Sequence, residues 1–289
     1  MLYIGCPIWG YKDWVGDFFP ARTPANDFLR LYSQRLPAVE GNTIFYALPS
    51  VDTVLRWAQE TPATFRFCPK VSRSISHEGN LAQQKSQTAA FIGRMRYFGE
   101  RLGTIFLQLP PSFAPAHSDQ LAAFLDFWPQ DLQLAVEVRH PDFYQEPHAG
   151  MLTRLLQQHH AARVIMDTRP IQTGSPKEQK ELQARERKPH LPVQITTTAD
   201  FAFVRYIGHP QMEVNAPFLD QWAKQIARWY QQGMTIYAFC HCPYEKHSPA
   251  ICHQLSQRLH HLIPEQPELA TPASDAENQD PGPEQMRLF

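Results

Sequence analysis

The chain has 289 residues, of which 43% are hydrophobic and 19% are charged, and this composition is typical of a globular protein with enough apolar material for a core. The formal net charge is −1, but the last 26 residues carry six acidic side chains and one basic one, which leaves 22 acids and 26 bases in residues 1–263. A net charge of about +4 on residues 1–263 permits an anionic ligand. It is smaller than the charge expected of a protein that binds duplex nucleic acid strongly.

The first ten residues, MLYIGCPIWG, contain neither basic residues nor a long apolar run, so we predict no signal peptide. No stretch of about 18 apolar residues is present, so no membrane-spanning helix is expected. The five cysteines are an odd number without the spacing of a disulfide framework. These features predict a reducing, cytoplasmic location.

Eight short runs with strand-like composition alternate with segments in which apolar residues recur at helical spacing, such as 216–233. The predicted strands are LYIGC (2–6), AVEGNTIFY (38–46), TFRFCPKV (64–71), GTIFLQLP (103–110), LQLAVEVR (132–139), ARVIMD (162–167), FAFVRYIG (201–208) and TIYAFCHC (235–242). Eight such units in about 250 residues predict an α/β fold resembling a TIM barrel, with parallel strands surrounded by helices. A doubly wound parallel sheet is the alternative, although no G-x-G-x-x-G follows the first strand.

Two regions depart from this alternation and set the expected domain organisation. Residues 168–200 form a long connection with a charged, helix-forming run closed by prolines, and we interpret it as either a lid or a solvated excursion. Residues 264–289 are acidic and rich in proline, and we expect this tail to be disordered. The predicted barrel domain is therefore 1–263.

Charged or amide side chains lie at or near the end of almost every predicted strand after the first. They are Glu40 and Asn42, Lys70, Gln108, Glu137 and Arg139, Asp167, Arg205, and His241. In a parallel barrel the functional side chains lie at these C-terminal strand ends, and buried charges are costly unless they are paired. We therefore predict one polar mouth, which either binds a ligand or is a salt-bridge network that stabilises the barrel.

The residue types suggest roles within such a mouth. Lys70, Arg139 and Arg205 suit a phosphate or carboxylate, and Glu137, Asp167 and Glu40 are candidate catalytic acids or bases. The candidate ligand-binding set is Trp9, Asn42, Tyr46, Lys70, Gln108, Arg139, Arg205 and His241.

The run FCHCP (239–243) offers soft metal ligands. Adjacent residues of a strand point to opposite faces, so either His241 or the pair Cys240 and Cys242 faces the mouth, but not all three. We therefore predict no metal site, and the sequence identifies no cofactor.

These motifs together resemble the YecE-like family, a bacterial domain of unknown function numbered 72. The matching runs are YIGCPIW (3–9), VEGNTIFYALP (39–49), FRFCPKV (65–71) with SISH (74–77), LGTIFLQLPPSF (102–113), AVEVRHPDF (135–143), VIMDTRP (164–170) and VRYIG (204–208). The resemblance implies a TIM-barrel-like fold and a strand-end pocket, but no activity. Many members look like FNN near the end of strand eight, where this chain reads FCHC, so no role is carried over to that position.

The last five residues, QMRLF (285–289), resemble the pentapeptide that binds the bacterial DNA polymerase sliding clamp. In that reading Gln285 forms buried hydrogen bonds, while Leu288 and Phe289 fill an apolar pocket. The alternatives are an accidental C-terminus or a tail that docks on its own barrel.

Three functions are consistent with the sequence. The first is an enzyme that binds an anionic, phosphate-bearing substrate and performs hydrolysis or other acid–base chemistry, with DNA repair as an analogy from fold alone. Metal-dependent nucleases need more His and carboxylate ligands than these strand ends supply. The second is a non-catalytic adaptor, associated with nucleic acid and recruited to the clamp by the tail. The third is a barrel whose polar mouth is structural.

Overall fold

The computed structural model of the chain describes residues 1–174, 179–187, 190–267 and 269. Eight strands form the centre of this part: β1 (Leu2–Cys6), β2 (Ala38–Gly41), β3 (Arg66–Pro69), β4 (Ile105–Gln108), β5 (Leu134–Glu137), β6 (Ala162–Asp167), β7 (Phe201–Ile207) and β8 (Thr235–His241). All eight were predicted in the right place. The second is shorter than expected, because the chain leaves it at Gly41 and enters a short helix.

The strands are parallel and hydrogen-bonded in the order β3-β2-β1-β8-β7-β6-β5-β4. The first and last strands of the chain are neighbours, since Leu2 to Gly5 pair with Ile236 to Phe239. Two parallel bridges, Phe67 with Leu102 and Lys70 with Phe106, connect the remaining edges. The sheet is therefore a nearly closed barrel, which confirms the TIM-barrel-like fold and rejects the doubly wound alternative.

Helices surround the barrel in the described residues. They are α1 (Phe28–Ser33), α2 (Thr43–Tyr46), α3 (Val51–Gln59), α4 (Arg73–Ser76), α5 (Lys85–Met95), α6 (Ser118–Phe127), α7 (His148–Gln158), α8 (Arg169–Gln172), α9 (Gln179–Arg187), α10 (Met212–Gln231) and α11 (Ser248–Leu262). Local signals begin some of them: the Ser50 hydroxyl accepts a hydrogen bond from the Thr53 N–H at 3.1 Å and caps α3. No helix of the described part is long and apolar enough to cross a membrane.

Alternation along each strand divides the apolar residues into two cores. One parity faces the helices, as Leu134 and Val136 do in β5. The other fills the barrel, where Phe106, Phe203 and Phe239 are fully buried. These aromatic rings fill the barrel interior before the strands end. The polar residues that follow on the same parity therefore lie at the C-terminal strand ends, which we call the mouth.

Part of the 168–200 connection lies on the mouth side of the barrel. Burial raises the pKa of the Cys242 thiol at the end of β8, and the charges of Glu245 and of Glu181 in α9 add to the effect. The connection then returns to the base of β6, where Thr198 donates to the Ala161 carbonyl at 2.6 Å. Its role as a lid stays a prediction.

Candidate functional site

A buried arginine between two carboxylates forms the floor of the mouth. Arg205 donates from Nε and Nη2 to the two oxygens of Glu40, at 2.8 Å each, and from Nη1 to Oε2 of Glu137 at 2.6 Å. The three side chains are at most 3% exposed. We call Glu40, Arg205 and Glu137 the inner triad. Its strands β2, β5 and β7 are not neighbours, so the triad spans the barrel.

Each charged group of the inner triad is paired with an opposite charge, which offsets the cost of removing it from water. Burial by itself would raise the pKa of Glu137, but the charges of Arg205, Arg139 and Lys70 lower it to about 2. The same balance, with Arg205 and His241 as the partners, holds the pKa of Glu40 well below its usual range. Burial would lower the pKa of Arg205, but the two carboxylates raise it instead. All three groups therefore stay ionised at neutral pH.

Two further side chains orient Glu40. Asn42 donates from Nδ2 to Glu40 Oε1 at 2.7 Å and to the Pro7 carbonyl at 3.1 Å. The Nε2 of His241 lies 3.1 Å from Glu40 Oε2. Each oxygen of Glu40 thus has two hydrogen-bond partners, which fixes the carboxylate in place. Asn42 and His241 act here through Glu40.

Above the triad lie Lys70, Gln108 and Arg139, which we call the cation cradle. Lys70 Nζ and Arg139 Nη2 both donate to the same oxygen, Gln108 Oε1, at 2.8 Å. Arg139 also donates from Nε to Glu137 Oε1 at 2.6 Å. Because both partners of Gln108 are donors, its Nε2 amino group must point elsewhere, and it has no hydrogen-bond partner in the described part of the chain. The Arg139 side chain is 12% exposed, so the cradle is the solvent-facing layer.

The pKa of Lys70 is strongly lowered by its surroundings. Burial and then the neighbouring Arg205 lower its pKa from 10.5 to about 7, against the opposing effects of Glu137 and Glu40. Its ammonium lies 4.0 Å from the centre of the Phe45 ring, a cation–π contact. Lys70 can therefore gain or lose a proton near neutral pH. When it is protonated, the arginine and lysine charges of triad and cradle exceed the carboxylate charges by one.

Two residues of the mouth were missed by the sequence reasoning. Phe45, in α2, provides the ring beneath Lys70. His77, just after α4, packs edge-on against the same ring with the centres 5.0 Å apart. The only sequence signal was their place in the connections that follow β2 and β3. The SISH run (74–77), which contains His77, belongs to the family motifs and carries no local signal of a site.

Asp167, a candidate catalytic acid or base, does not lie in the mouth. On β6 the inward parity belongs to Val164 and Met166, so Asp167 points outward to the helices. Its Oδ2 accepts from the Trp222 indole at 2.8 Å and from Arg169 at 2.7 Å. This fully buried carboxylate joins β6 to α8 and α10. At β6 the mouth is therefore lined by an apolar side chain, that of Met166.

The two predicted aromatic residues are also placed away from the cradle. Trp9 packs against Trp57 and Phe67 on the outer, helix-facing side, with ring centres 4.9 and 6.2 Å apart. Tyr46 is 78% exposed and touches the edge of Phe45 at 5.0 Å. Phe45, rather than Tyr46, contacts the cradle.

The FCHC run divides as alternation requires. His241 faces the mouth, while Cys240 and Cys242 are buried in the outer core. Across the ranges that the structure describes, no three His, Cys, Asp or Glu side chains are grouped to hold a metal ion. The candidate clamp-binding residues Gln285, Leu288 and Phe289 lie outside the described residues.

A family model described as "Protein of unknown function DUF72" matches residues 3–275. The chain is 35% identical over 266 residues to the UPF0759 protein YecE of Escherichia coli strain K12, covering 92% of this chain and 95% of that protein. It is also 25% identical over 184 residues to the UPF0759 protein YunF of Bacillus subtilis strain 168, covering 61% and 64% of the two chains.

Solved structures share the fold. A DUF72 family protein from Enterococcus faecalis V583 superposes with a TM-score of 0.69 at 17% identity, over 95% of this chain and 99% of that one. Another from Thermotoga maritima MSB8 gives a TM-score of 0.65 at 21% identity, over 90% and 99% of the two chains. At these identities the likeness concerns the fold alone.

Proposed function

Given that this chain belongs to the DUF72 family, whose function is unknown, we propose that its mouth binds a small phosphate- or carboxylate-bearing anion and performs acid–base or hydrolytic chemistry on it. The observation that carries the proposal is the cation cradle. Lys70 and Arg139 donate to a single oxygen of Gln108, so two like charges are held side by side at the solvent-facing end of a barrel. An anion above them would relieve this repulsion.

The cation cradle has further N–H groups that can donate hydrogen bonds to a ligand. Lys70 has three N–H donors and Arg139 five, and only some of them are used by Gln108 and Glu137. The free Nε2 of Gln108 is a further donor. A phosphate or carboxylate has several acceptor oxygens and can take hydrogen bonds from all three side chains at once. A neutral ligand would gain less from the same set.

Lys70 is the candidate proton donor and acceptor. With a pKa of about 7 it is present in both forms near neutral pH, which suits general acid–base work. Glu40 and Glu137, the carboxylates favoured by sequence, are engaged by Arg205 and held ionised. We assign them to orienting the cations, and Asp167 to the outer layer.

Titration of the protein with inorganic phosphate at pH 6.5, followed by calorimetry, tests the anion site. Lys70→Met and Arg139→Met should each weaken binding at least tenfold. Arg96→Met is the matched control, because it removes an exposed arginine that pairs with Asp131; its affinity should equal that of the unmodified protein. Unchanged affinity in both cradle variants would reject the site.

The second candidate function is that of an adaptor recruited to the DNA polymerase sliding clamp by QMRLF. The support is the match of Gln285, Leu288 and Phe289 to the clamp-binding pattern. A pull-down with purified clamp tests it. Leu288→Ala with Phe289→Ala should abolish capture, whereas Met286→Ala with Arg287→Ala, at the variable positions, should retain it. Equal capture by both double variants would reject this function.

A cytoplasmic location stays a prediction. It is supported by the five cysteines, Cys6, Cys68, Cys240, Cys242 and Cys252, which are all free and buried. A reducing compartment maintains cysteines in this form.

A further inference from the structure

His77 borders the cation cradle across a shared aromatic ring. The His77 ring centre lies 5.0 Å from that of Phe45, and Lys70 Nζ lies 4.0 Å from the same Phe45 centre. The Lys70 nitrogen and the His77 ring centre are therefore no more than 9.0 Å apart. This separation is within the length of one small ligand.

The hydrogen bonds around His77 indicate which nitrogen carries its proton. Ser76 Oγ lies 3.0 Å from the Ser72 carbonyl oxygen, which can only accept, so we assign its single hydroxyl hydrogen to that bond. Ser76 Oγ also lies 2.8 Å from His77 Nδ1, and we accordingly assign the hydrogen in that contact to Nδ1. In a neutral ring the Nε2 atom is then an acceptor with a free lone pair. No hydrogen-bond partner for Nε2 exists among the residues that the structure describes.

The surroundings keep the ring neutral. Burial, followed by the positive charges of Lys70, Arg139 and Arg73, lowers the pKa of His77 to about 4, with Glu137 opposing. His77 therefore adds an acceptor, and no positive charge, to a mouth that otherwise offers donors. A ligand that uses both must carry an anionic group and a hydrogen-bond donor close together.

We propose that His77 Nε2 accepts a hydrogen bond from a hydroxyl of the ligand whose anionic group lies in the cation cradle, so that the site selects a phosphorylated hydroxy compound. This inference rests on the proposed anion site. A hydrogen bond of about 2.8 Å at each end of the ligand accounts for much of the distance between Lys70 Nζ and the His77 ring. The hydroxyl consequently lies on a carbon close to the phosphate ester.

Two probes separate the hydroxyl from the phosphate: sn-glycerol 3-phosphate and n-propyl phosphate, measured by calorimetry at pH 6.5. The unmodified protein should bind glycerol phosphate about threefold to tenfold more tightly, the contribution of one net hydrogen bond. His77→Phe should remove this preference and leave the affinity for propyl phosphate within twofold. His77→Gln, which restores an acceptor oxygen, should recover part of the preference.

His159→Phe is the matched control, since His159 approaches Asp126 Oδ1 at 3.6 Å after α7, away from the mouth; its preference should be unchanged. Equal binding of the two probes by the unmodified protein, or a preference retained in His77→Phe, would overturn the inference while leaving the anion site intact. Failure of propyl phosphate to bind at all would instead overturn the proposed function, and this inference with it. Nitrogen-15 NMR gives an independent check: the inference requires the Nδ1–H tautomer of His77, and the Nε2–H tautomer contradicts it.

Discussion

Replacement of Lys70 by methionine separates a ligand site from a structural network. If a cation stabilises the barrel, its removal should lower the free energy of unfolding. The surroundings of Lys70 instead destabilise its charge, since burial and Arg205 both lower its pKa. Its hydrogen-bond partner Gln108 Oε1 keeps a second donor in Arg139, so no buried acceptor is orphaned. We therefore expect Lys70→Met to raise stability while it weakens phosphate binding.

The magnitude follows from the pKa of Lys70. A fall from 10.5 to about 7 makes the protonated form about 5 kcal/mol less favourable in the folded protein, at about 1.4 kcal/mol for each tenfold change in proton affinity. The variant loses a hydrogen bond worth about 1 kcal/mol and the Phe45 contact worth about 2 kcal/mol. A net gain of about 2 kcal/mol remains, which raises the Tm by about 4–8 °C.

The effect has a defined pH dependence. Below pH 7 Lys70 is protonated in the folded and unfolded states, so the unmodified protein carries the full penalty. Between about pH 7 and 10.5 the folded protein binds fewer protons than the unfolded chain, so its stability rises with pH. The advantage of Lys70→Met should therefore be largest near pH 6 and decline towards pH 10.

Urea and thermal unfolding at pH 6 and pH 9, with phosphate calorimetry in parallel, measure these effects. Lys85→Met is the matched control, because Lys85 is exposed and also lies over a phenyl ring, that of Phe127 at 5.8 Å. Its stability should change by no more than about 0.5 kcal/mol. A loss of more than about 1 kcal/mol in Lys70→Met at pH 6 would refute the reasoning and favour a structural role for the cradle.

Three further predictions concern the groups around the cradle. Arg205→Met leaves two buried carboxylates without their main partner and should cost about 3–5 kcal/mol in urea unfolding; a loss below 1 kcal/mol contradicts the inner triad. The pKa of Glu137 is lowered to about 2, so its stabilisation is complete above about pH 4.5 and is lost as the pH falls towards 2; Glu137→Gln should flatten this acid dependence of the Tm. Asp167→Asn disturbs the bonds to Trp222 and Arg169 and should cost roughly 1–3 kcal/mol, with phosphate affinity unchanged; a tenfold loss of affinity would return Asp167 to the site.

The sequence by itself determined the barrel fold and the face of a strand on which each charged side chain lies. Because side chains alternate along any strand, the sequence of 132–139 puts Leu134 and Val136 on one face and Glu137 and Arg139 on the other. The eight strands followed from the same kind of local signal. Since parallel strands end at one edge of the barrel, residues far apart in the chain could be expected to meet there.

Only the tertiary structure decided which of these residues act together. Asp167 is polar and ends a strand, so no local feature of the sequence separates it from Glu40 and Glu137. In its outward direction it accepts a hydrogen bond from the indole N–H of Trp222, which is 55 positions away in the chain. A polar side chain is tolerated on the helix-facing side wherever a neighbouring element satisfies it, and the identity of that neighbour is a property of packing.

The same reason explains why His77 and Phe45 were missed. His77 lies in a loop and Phe45 in the short helix α2 that follows β2, and the course of both connections depends on contacts with the rest of the barrel rather than on a repeating local pattern. The pairing of Arg205 with Glu40, across 165 positions, is likewise fixed by barrel closure. Local periodicity can state that a charge faces inward; the partner of that charge, and hence its pKa and its chemistry, is set by the three-dimensional arrangement.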